Sequence, residues 1–297
     1  MQNYQNHPLA GARDLDSAMS RLWAFYKKYF IGIYIISVIS ALATNLITST
    51  LDTNALMQAA GDPDKLISLL KEMALPYSLL LAVSFIFTII LHAWVLGKPV
   101  SDNYGITDTL KDSAVALFPF LLAAIVMGLG GMMLIGIGLV MLVLPGLFAM
   151  FYFITVFIFA LPVTLAESRN AATIIGQSFR LAHKNLWPNM GWVVVTALIM
   201  IMASLVVSGI IMLPFTGTFV KSIANPEEAS AIMEMSKSPV YIILSSLGGA
   251  LITPVFPILA FILYFRNSEE TPQVATDNTG DDRVKVEDLY PKMPDKE

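Results

Sequence analysis

Long apolar stretches separated by short polar ones dominate the pattern along this chain. A helix needs about 20 mostly apolar residues to cross about 30 Å of hydrocarbon, and the chain offers enough apolar length for six such helices. The segments run over 29–50, 76–97, 114–133, 138–163, 189–213 and 240–265. The pattern predicts an all-α, polytopic integral membrane bundle of about six transmembrane helices, arranged as three hairpins.

The boundary between the third and fourth segments is the least defined. About fifty residues within 114–166 carry no charge, which is too long for one span. The sequence "GLGG", Gly128–Gly131, predicts the turn between two helices, since glycine tolerates turn conformations. A re-entrant segment between 133 and 145 is the alternative.

A polar, basic stretch over 170–187 separates the fourth and fifth segments and has the periodicity of an amphipathic helix. Ser168 or Asn170 offers an N-cap, and Pro188 marks the start of the next helix. At 100° per residue one half of the helix is largely apolar and the other polar. The apolar half contains Ala171, Ala172, Ile174, Ile175, Ser178, Phe179, Leu181, Ala182 and Leu186, and the polar half contains Thr173, Gly176, Gln177, Arg180, His183 and Lys184.

This pattern predicts a helix lying at the cytoplasmic membrane interface. Arg180 and Lys184 would face lipid phosphates, and Trp187 would lie at headgroup depth. An ordinary connector helix packed on its own bundle has the same pattern, and the sequence does not separate the two interpretations.

The same pattern occurs elsewhere in the chain. Residues 15–30 superimpose on the amphipathic stretch after a shift of 156 residues, with Lys28 falling on Lys184, and a weaker copy occupies 106–117. We interpret the chain as three units, each an amphipathic interfacial helix followed by a hairpin. Chance amphipathicity in three linkers is the alternative.

The outer loops of the first and third hairpins also resemble each other. The first has Asp62 as a cap and Pro63 at the first helical position. The third has Asn225 and Pro226 in the same arrangement, followed by Glu227 and Glu228.

Composition agrees with a membrane protein, because 56% of the residues are hydrophobic and 13% are charged, against about 25% charged in soluble domains. Residues 1–27 have no apolar stretch of their own, so we expect the first span to direct insertion. Lys and Arg near the spans favour both termini in the cytoplasm and the bacterial inner membrane as the location. The predicted inner residues are Arg13, Arg21, Lys27, Lys28, Lys98, Lys111, Arg169, Arg180, Lys184 and Arg266, against Lys65, Lys71, Lys221 and Lys237 outside.

Three regions follow from this pattern: a cytoplasmic N-terminus over 1–28, a six-span domain over 29–265 and an acidic tail over 266–297. The tail has few large apolar residues, which predicts disorder; it is either a solubilising end or a partner-binding segment. Up to and including Arg266 the chain is mildly basic, with one more Lys or Arg than Asp or Glu, which is compatible with anionic lipid headgroups. We expect no nucleic-acid partner.

Candidate chemistry is sparse. The chain has no cysteine, and none of its Lys, Arg, Asp or Glu residues falls within a predicted span, which removes the simplest evidence for ion-coupled transport. The histidines His7, His92 and His183 lack the spacing of a metal site. We expect no metal, no cofactor and no catalytic residue. Glu167 is predicted to cap or begin the helix that follows it.

The stretch "VLPGLFAMFYFITVFIFALPVTLAESRNAATIIGQSFRLAHKNLW" resembles a bacterial membrane family. It is similar to the membrane domain of some glycerophosphodiester phosphodiesterases and to the related YciC-like six-span inner-membrane proteins, a largely uncharacterised group. The positions that carry the resemblance are Pro145, Gly146, Glu167, Ala171, Ser178, Leu181 and Trp187. The resemblance implies a six-span structure and no activity.

These observations favour a non-enzymatic membrane protein that organises or binds lipid, or that binds a membrane or cytoplasmic protein partner. The candidate lipid-contact residues are Lys27, Lys28, Arg180, Lys184 and Trp187. A permease or exporter of an apolar or amphiphilic solute is the alternative, because Pro145, Pro162, Pro254 and Pro257 offer breaks in the spans.

Overall fold

A computed structural model describes residues 4–51, 55, 59, 61–217 and 234–269, and all the regular structure in these ranges is helical. The helices are α1 (Leu15–Lys28), α2 (Phe30–Ser49), α3 (Pro63–Gly97), α4 (Ile106–Met141), α5 (Val143–Phe157), α6 (Ala160–Ala166), α7 (Ala171–Lys184), α8 (Leu186–Met212), α9 (Pro239–Ile252) and α10 (Val255–Glu269). Short 3-10 helices occur at Tyr4–Asn6 and Leu213–Phe215.

Six segments of the described chain are long and apolar enough to cross a membrane, as predicted. They are Phe30–Ser49, Pro63–Gly97, Ile106–Met141, Val143–Ala166, Leu186–Phe215 and Pro239–Ser268. The protein is therefore a multi-pass helical membrane protein. The last segment is interrupted between α9 and α10, next to Pro254.

The predicted turn at Gly128–Gly131 is wrong. These residues lie inside α4, which continues to Met141, and the chain reverses at Leu142, whose backbone is extended. Pro145 lacks the N–H that would bond the Met141 carbonyl, so a helix cannot continue regularly through this point. The stretch 133–145, the alternative re-entrant segment, forms the end of α4 and the start of α5.

Two of the three predicted amphipathic helices are separate helices. α1 and α7 have the same length, and their bounds, Leu15–Lys28 and Ala171–Lys184, differ by the predicted shift of 156 residues. The third, over 106–117, is wrong as a separate helix because it is the continuous beginning of α4.

The ends of α1 and α7 also correspond. Asp14 and Asn170 are the N-caps, and each side chain accepts a hydrogen bond from the backbone N–H three residues later, as caps do. Tyr29 and Asn185 have non-helical backbone angles and separate each helix from the span that follows. The repeat therefore includes the caps and the bends.

The first outer helix begins as predicted. The Asp62 side chain accepts from the backbone N–H groups of Asp64 and Lys65, and Pro63 is the first residue of α3. The helix then continues through Pro76 into the span. Its predicted counterpart, Asn225–Glu228, lies outside the described residues.

The boundary of the predicted tail is displaced, because Arg266 to Glu269 continue α10 as helix. The rest of that tail, 270–297, lies outside the described residues.

The hydrophobic core lies at one end of the bundle and is centred on α10. Every residue of 258–265 is buried, and α1, α3, α6, α7 and α8 pack around this helix. The N-terminal segment 4–14 closes the same end, where the rings of His7 and Phe265 are 4.8 Å apart. We call this end, formed by 4–14, α1, α6, α7 and α10, the base. Both ends of the described chain therefore lie at the base.

Away from the base, the spans turn much of their apolar surface outward. In the most apolar part of Leu186–Phe215 only 6% of residues are buried, against 56% for Pro239–Ser268. A bilayer solvates such side chains as well as another helix does. Membrane lipid is therefore the natural environment of these helices.

Candidate functional site

The amphipathic helix α7 packs its apolar face on the protein itself. Ile174, Ser178, Leu181 and Ala182 are buried, and the helix contacts α4, α5, α6 and α10. This is the packing that the connector-helix interpretation predicts. The surface that remains outside includes Phe179, with 41% of its side chain exposed.

The predicted lipid-contact cations differ in their surroundings. Lys184 does not point freely outward, because its Nζ donates to the carbonyl oxygen of Asn267 at 2.9 Å. Arg180 is exposed. Lys27 and Lys28 lie over the rings of Trp23 and Tyr29, at 5.6 and 5.2 Å from the ring centres.

Trp187, the aromatic residue among the predicted lipid contacts, is exposed. Its side chain is 68% exposed, and its ring centre is 5.9 Å from that of Phe148 in α5. It lies just after the bend between α7 and α8, where two exposed aromatic rings meet.

An exposed aromatic residue followed by a basic one occurs at equivalent positions of α1 and α7. Trp23 is 57% exposed and carries Lys27 over its ring. In α7 the equivalent residues are Phe179 and His183, whose rings stack with their centres 6.0 Å apart. Since each pair lies on the outer edge of its helix, both copies present an aromatic ring beside a basic group.

An apolar groove runs along the outside of α4, α5 and α7. Its volume is about 340 Å³. Its lining consists of Val126, Met127, Gly130, Gly131, Leu134, Tyr152, Phe153, Val156, Ile175 and Phe179. The groove thus joins two membrane-spanning segments to the exposed edge of α7.

Two glycines shape the groove. A Cβ on Gly131 would lie 2.4 Å from the Phe153 ring, so this glycine lets α5 pack closely on α4. A Cβ on Gly130 would meet nothing within 4 Å, so the space next to it is open.

One border of the groove carries polar atoms. The Tyr152 hydroxyl is 3.2 Å from Nε2 of His183, whose Nδ1 is 2.8 Å from the Phe179 carbonyl oxygen. With Nδ1–H donating to that carbonyl, Nε2 accepts from Tyr152.

Four of the positions that carry the family resemblance, namely Pro145, Gly146, Glu167 and Ser178, are candidate structural residues. They have separate roles in the fold. Pro145 and Gly146 form the first turn of α5, where Gly146 approaches Gly138. Ser178 is buried and donates to the Ile174 carbonyl at 2.7 Å. The prediction that Glu167 caps or begins α7 is wrong, because Asn170 is the N-cap and the first turn of α7 contains no acidic residue. Instead Oε1 of Glu167 accepts from the Tyr264 hydroxyl at 3.0 Å, which ties the end of α6 to α10.

A buried network of asparagines at the bend between α7 and α8 escaped the sequence analysis. Asn189 and Asn267 are fully buried. Nδ2 of Asn267 donates to Oδ1 of Asn189 at 3.0 Å, and Nδ2 of Asn185 donates to Oδ1 of Asn267 at 3.1 Å. Asn189 also donates to the Ala182 carbonyl at 3.2 Å. The bond to Ala182 reaches one of the last carbonyls of α7, the group that a helix end leaves without helical partners.

The base also contains a polar cavity of about 270 Å³, whose lining includes Tyr4, Tyr104, Asp112 and Arg169. The Tyr104 hydroxyl donates to Oδ2 of Asp112 at 2.8 Å. Burial, together with this carboxylate, raises the pKa of Tyr104, so the phenol stays protonated.

His7 is buried beside this cavity. Its Nδ1 accepts from the Leu9 N–H at 3.2 Å, which makes Nε2 the donor to the Val95 carbonyl at 3.3 Å. Burial lowers its pKa to about 4. The imidazole is therefore a neutral packing residue of the base.

No group of three or more His, Asp or Glu side chains within the described residues has the geometry to hold a metal ion. Comparison of the chain with protein-family models, with curated proteins and with solved structures gives no match. The resemblance to the six-span inner-membrane proteins stays a prediction.

Proposed function

We propose that the protein binds an anionic phospholipid, with one acyl chain in the groove between α4, α5 and α7 and the phosphate beside α7. The observation that carries the proposal is the groove itself, because it is apolar along its length and lies on two spans. Within a bilayer the abundant apolar molecule that fits a narrow lateral groove is a lipid chain.

The groove favours one chain by shape. Lipid tails are as apolar as the lining, so the hydrophobic effect gives no net gain on binding. Binding instead comes from van der Waals contact with a fixed surface, and each atom pair contributes only about 0.1–0.2 kcal/mol. Gly130 is central, because its missing side chain leaves open the space that the chain would occupy.

The head group supplies the charge preference. Arg180 directly follows the groove residue Phe179 and is exposed, and His183 borders the groove through Tyr152. A guanidinium pairs with a phosphate through charge-assisted hydrogen bonds. The pair Trp23 and Lys27 repeats an aromatic ring beside a basic group on α1, which supports a role for this edge at the level of lipid head groups.

The experiment compares two glycine variants in nanodiscs of phosphatidylethanolamine and phosphatidylglycerol, with native mass spectrometry of the released protein. Gly130→Phe fills the groove. Gly128→Phe is the matched control, because Gly128 lies on the same helix, has the same open surroundings and does not line the groove. We expect wild type and Gly128→Phe to retain phosphatidylglycerol and Gly130→Phe to lose it.

A charge variant tests the head group separately. Arg180→Gln should reduce phosphatidylglycerol relative to phosphatidylethanolamine by about 2- to 5-fold, the effect of one exposed ion pair. Lys71→Gln is the control, because Lys71 is an exposed cation near the start of α3 and outside α7. It should leave the ratio of the two lipids unchanged. Equal lipid retention by both glycine variants, or no lipid retained by wild type, would contradict the proposal.

An exporter of an amphiphilic solute is the second candidate, and the interruption of the last span between Ile252 and Val255 favours it. Interrupted helices leave backbone carbonyls available to a ligand. Solute-dependent flux in proteoliposomes would support this candidate over lipid binding alone.

A further inference from the structure

Another cavity lies where α2 and α3 meet the break between α9 and α10. Its volume is about 160 Å³. Its lining combines hydroxyl and imidazole groups with apolar and aromatic side chains: Ile36, Ser37, Ser40, Phe87, Thr88, Leu91, His92, Thr253, Phe256 and Pro257. We propose that this cavity binds the hydroxyl head of a neutral, single-headed amphiphile, such as a long-chain alcohol or a diacylglycerol.

One side chain of the cavity lacks a partner. Ser37 is 0% exposed, and its Oγ makes no hydrogen bond. An unsatisfied buried hydroxyl costs about 1–3 kcal/mol, so a group that bonds to it would recover stability. Most serine and threonine side chains in the surrounding helices bond to a carbonyl in the preceding turn, as Thr88 does.

Two acceptors complete the polar surface. Nδ1 of His92 is 2.8 Å from the Thr88 carbonyl oxygen, and donating to it leaves Nε2 as an acceptor in the neutral ring. The carbonyl of Thr253 cannot receive its usual helical bond, because Pro257, four residues later, has no N–H. A hydroxyl group offers both the donor that these acceptors need and an acceptor for the Ser37 hydroxyl.

The lining also excludes a charged head group. None of the described residues around the cavity is Lys, Arg, Asp or Glu. A phosphate or carboxylate would be buried without a counter-charge, which is far more costly than burying a hydroxyl. The polar head is therefore neutral.

The position of the cavity is suited to a molecule that arrives from the membrane. His92 precedes Lys98 by six residues, and Ser37 follows Phe30, the first residue of α2, by seven, which corresponds to about 9 and 10 Å along α3 and α2. Thr253, which lines the cavity, is exposed at the surface of the bundle. The head can enter the cavity while the chain remains in the hydrocarbon.

The test uses photolabelling in phosphatidylcholine nanodiscs. One probe is a long-chain alcohol with a diazirine near its hydroxyl, and the other is the matching alkyl sulfate, which is always charged. We expect the alcohol to label peptides that contain Thr253 and Phe256 at least several-fold more than the sulfate does. This comparison uses the wild-type protein alone. Labelling elsewhere, or equal labelling by both probes, would overturn the proposal.

Variants then assign the polar contacts. Ser37→Ala should reduce labelling by the alcohol about 5- to 10-fold, the effect of one buried hydrogen bond, whereas Ser37→Thr keeps the hydroxyl and should retain most of it. Ser84→Ala, on α3 outside the cavity, is the control. Unchanged labelling in Ser37→Ala would overturn the assignment.

The two binding sites are independent. Gly130→Phe should not change labelling by the alcohol, because its groove lies on other helices. The lipid site and the alcohol site can therefore fail separately.

Discussion

The hairpin of α4 and α5 depends on a close approach of two backbones, and Gly138→Ala tests it. A Cβ on Gly138 would lie 2.9 Å from Cα of Gly146 and 3.0 Å from both the Gly146 nitrogen and the Pro145 oxygen. Carbon atoms prefer about 3.5–4.0 Å. All three neighbours are backbone atoms, so they cannot rotate away and the two helices must separate.

The magnitude follows from two opposing effects. Alanine favours a helix over glycine by about 0.8–1.0 kcal/mol. Overpacking a close contact costs about 1–3 kcal/mol. Gly136 gives the matched control, because it lies two residues away, about half a turn round the same helix, and its Cβ would meet nothing within 4 Å. We expect Gly136→Ala to be at least as stable as wild type and Gly138→Ala to be less stable than Gly136→Ala by about 1–3 kcal/mol.

The measurement is the unfolding equilibrium in mixed micelles of dodecyl maltoside and increasing sodium dodecyl sulfate, followed by far-ultraviolet circular dichroism. Both variants change one glycine to alanine in α4, so the helix-propensity contribution cancels in the comparison. Equal unfolding midpoints for the two variants would refute the close approach of Gly138 and Gly146, and with it the reversal at Leu142.

Two further predictions concern the base. Because burial lowers the pKa of His7 from 6.5 to about 4, the unfolded chain binds more protons between these values, so stability is full above pH 6.5 and falls by about 3 kcal/mol toward pH 4. His7→Gln, which does not titrate, should flatten the dependence of the unfolding midpoint on pH in this window, and an unchanged slope would contradict the burial of a neutral imidazole. Asn267→Leu should destabilise the protein by about 1–3 kcal/mol, because it leaves Oδ1 of the buried Asn189 without its donor. Asn189→Leu combined with Asn267→Leu should recover part of this loss, and strictly additive unfolding energies would show that the two amides do not interact.

The number of spans and the caps of α3 and α7 could be predicted because they depend on local sequence. Twenty apolar residues are sufficient to identify a span, and Asp62 and Asn170 cap helices through backbone groups two or three residues away. Contacts between distant segments left no such signal. The bonds between Asn189 and Asn267 join residues 78 positions apart, and nothing in either stretch marks its partner.

Glycine and proline were ambiguous for a physical reason. Gly131 looked like part of a turn, but in a membrane helix a glycine also provides a surface for a neighbouring ring, here that of Phe153. Pro76 and Pro119 lie inside continuous helices, whereas Pro145 follows a reversal. The difference lies in the packing of Gly138 against Gly146, which depends on the fold of the whole hairpin.

The amphipathic pattern of α1 and α7 was correctly located, yet it did not identify what covers their apolar faces. Both helices place that face against α10 and its neighbours in the base, and both bend at the equivalent residues Tyr29 and Asn185 before the next span begins. The copy at the start of α4 has no such bend and runs straight into its span. The lipid contact proposed for α1 and α7 would therefore involve their outer edges, where Trp23 and Phe179 lie exposed, and not the apolar faces that first suggested a membrane surface.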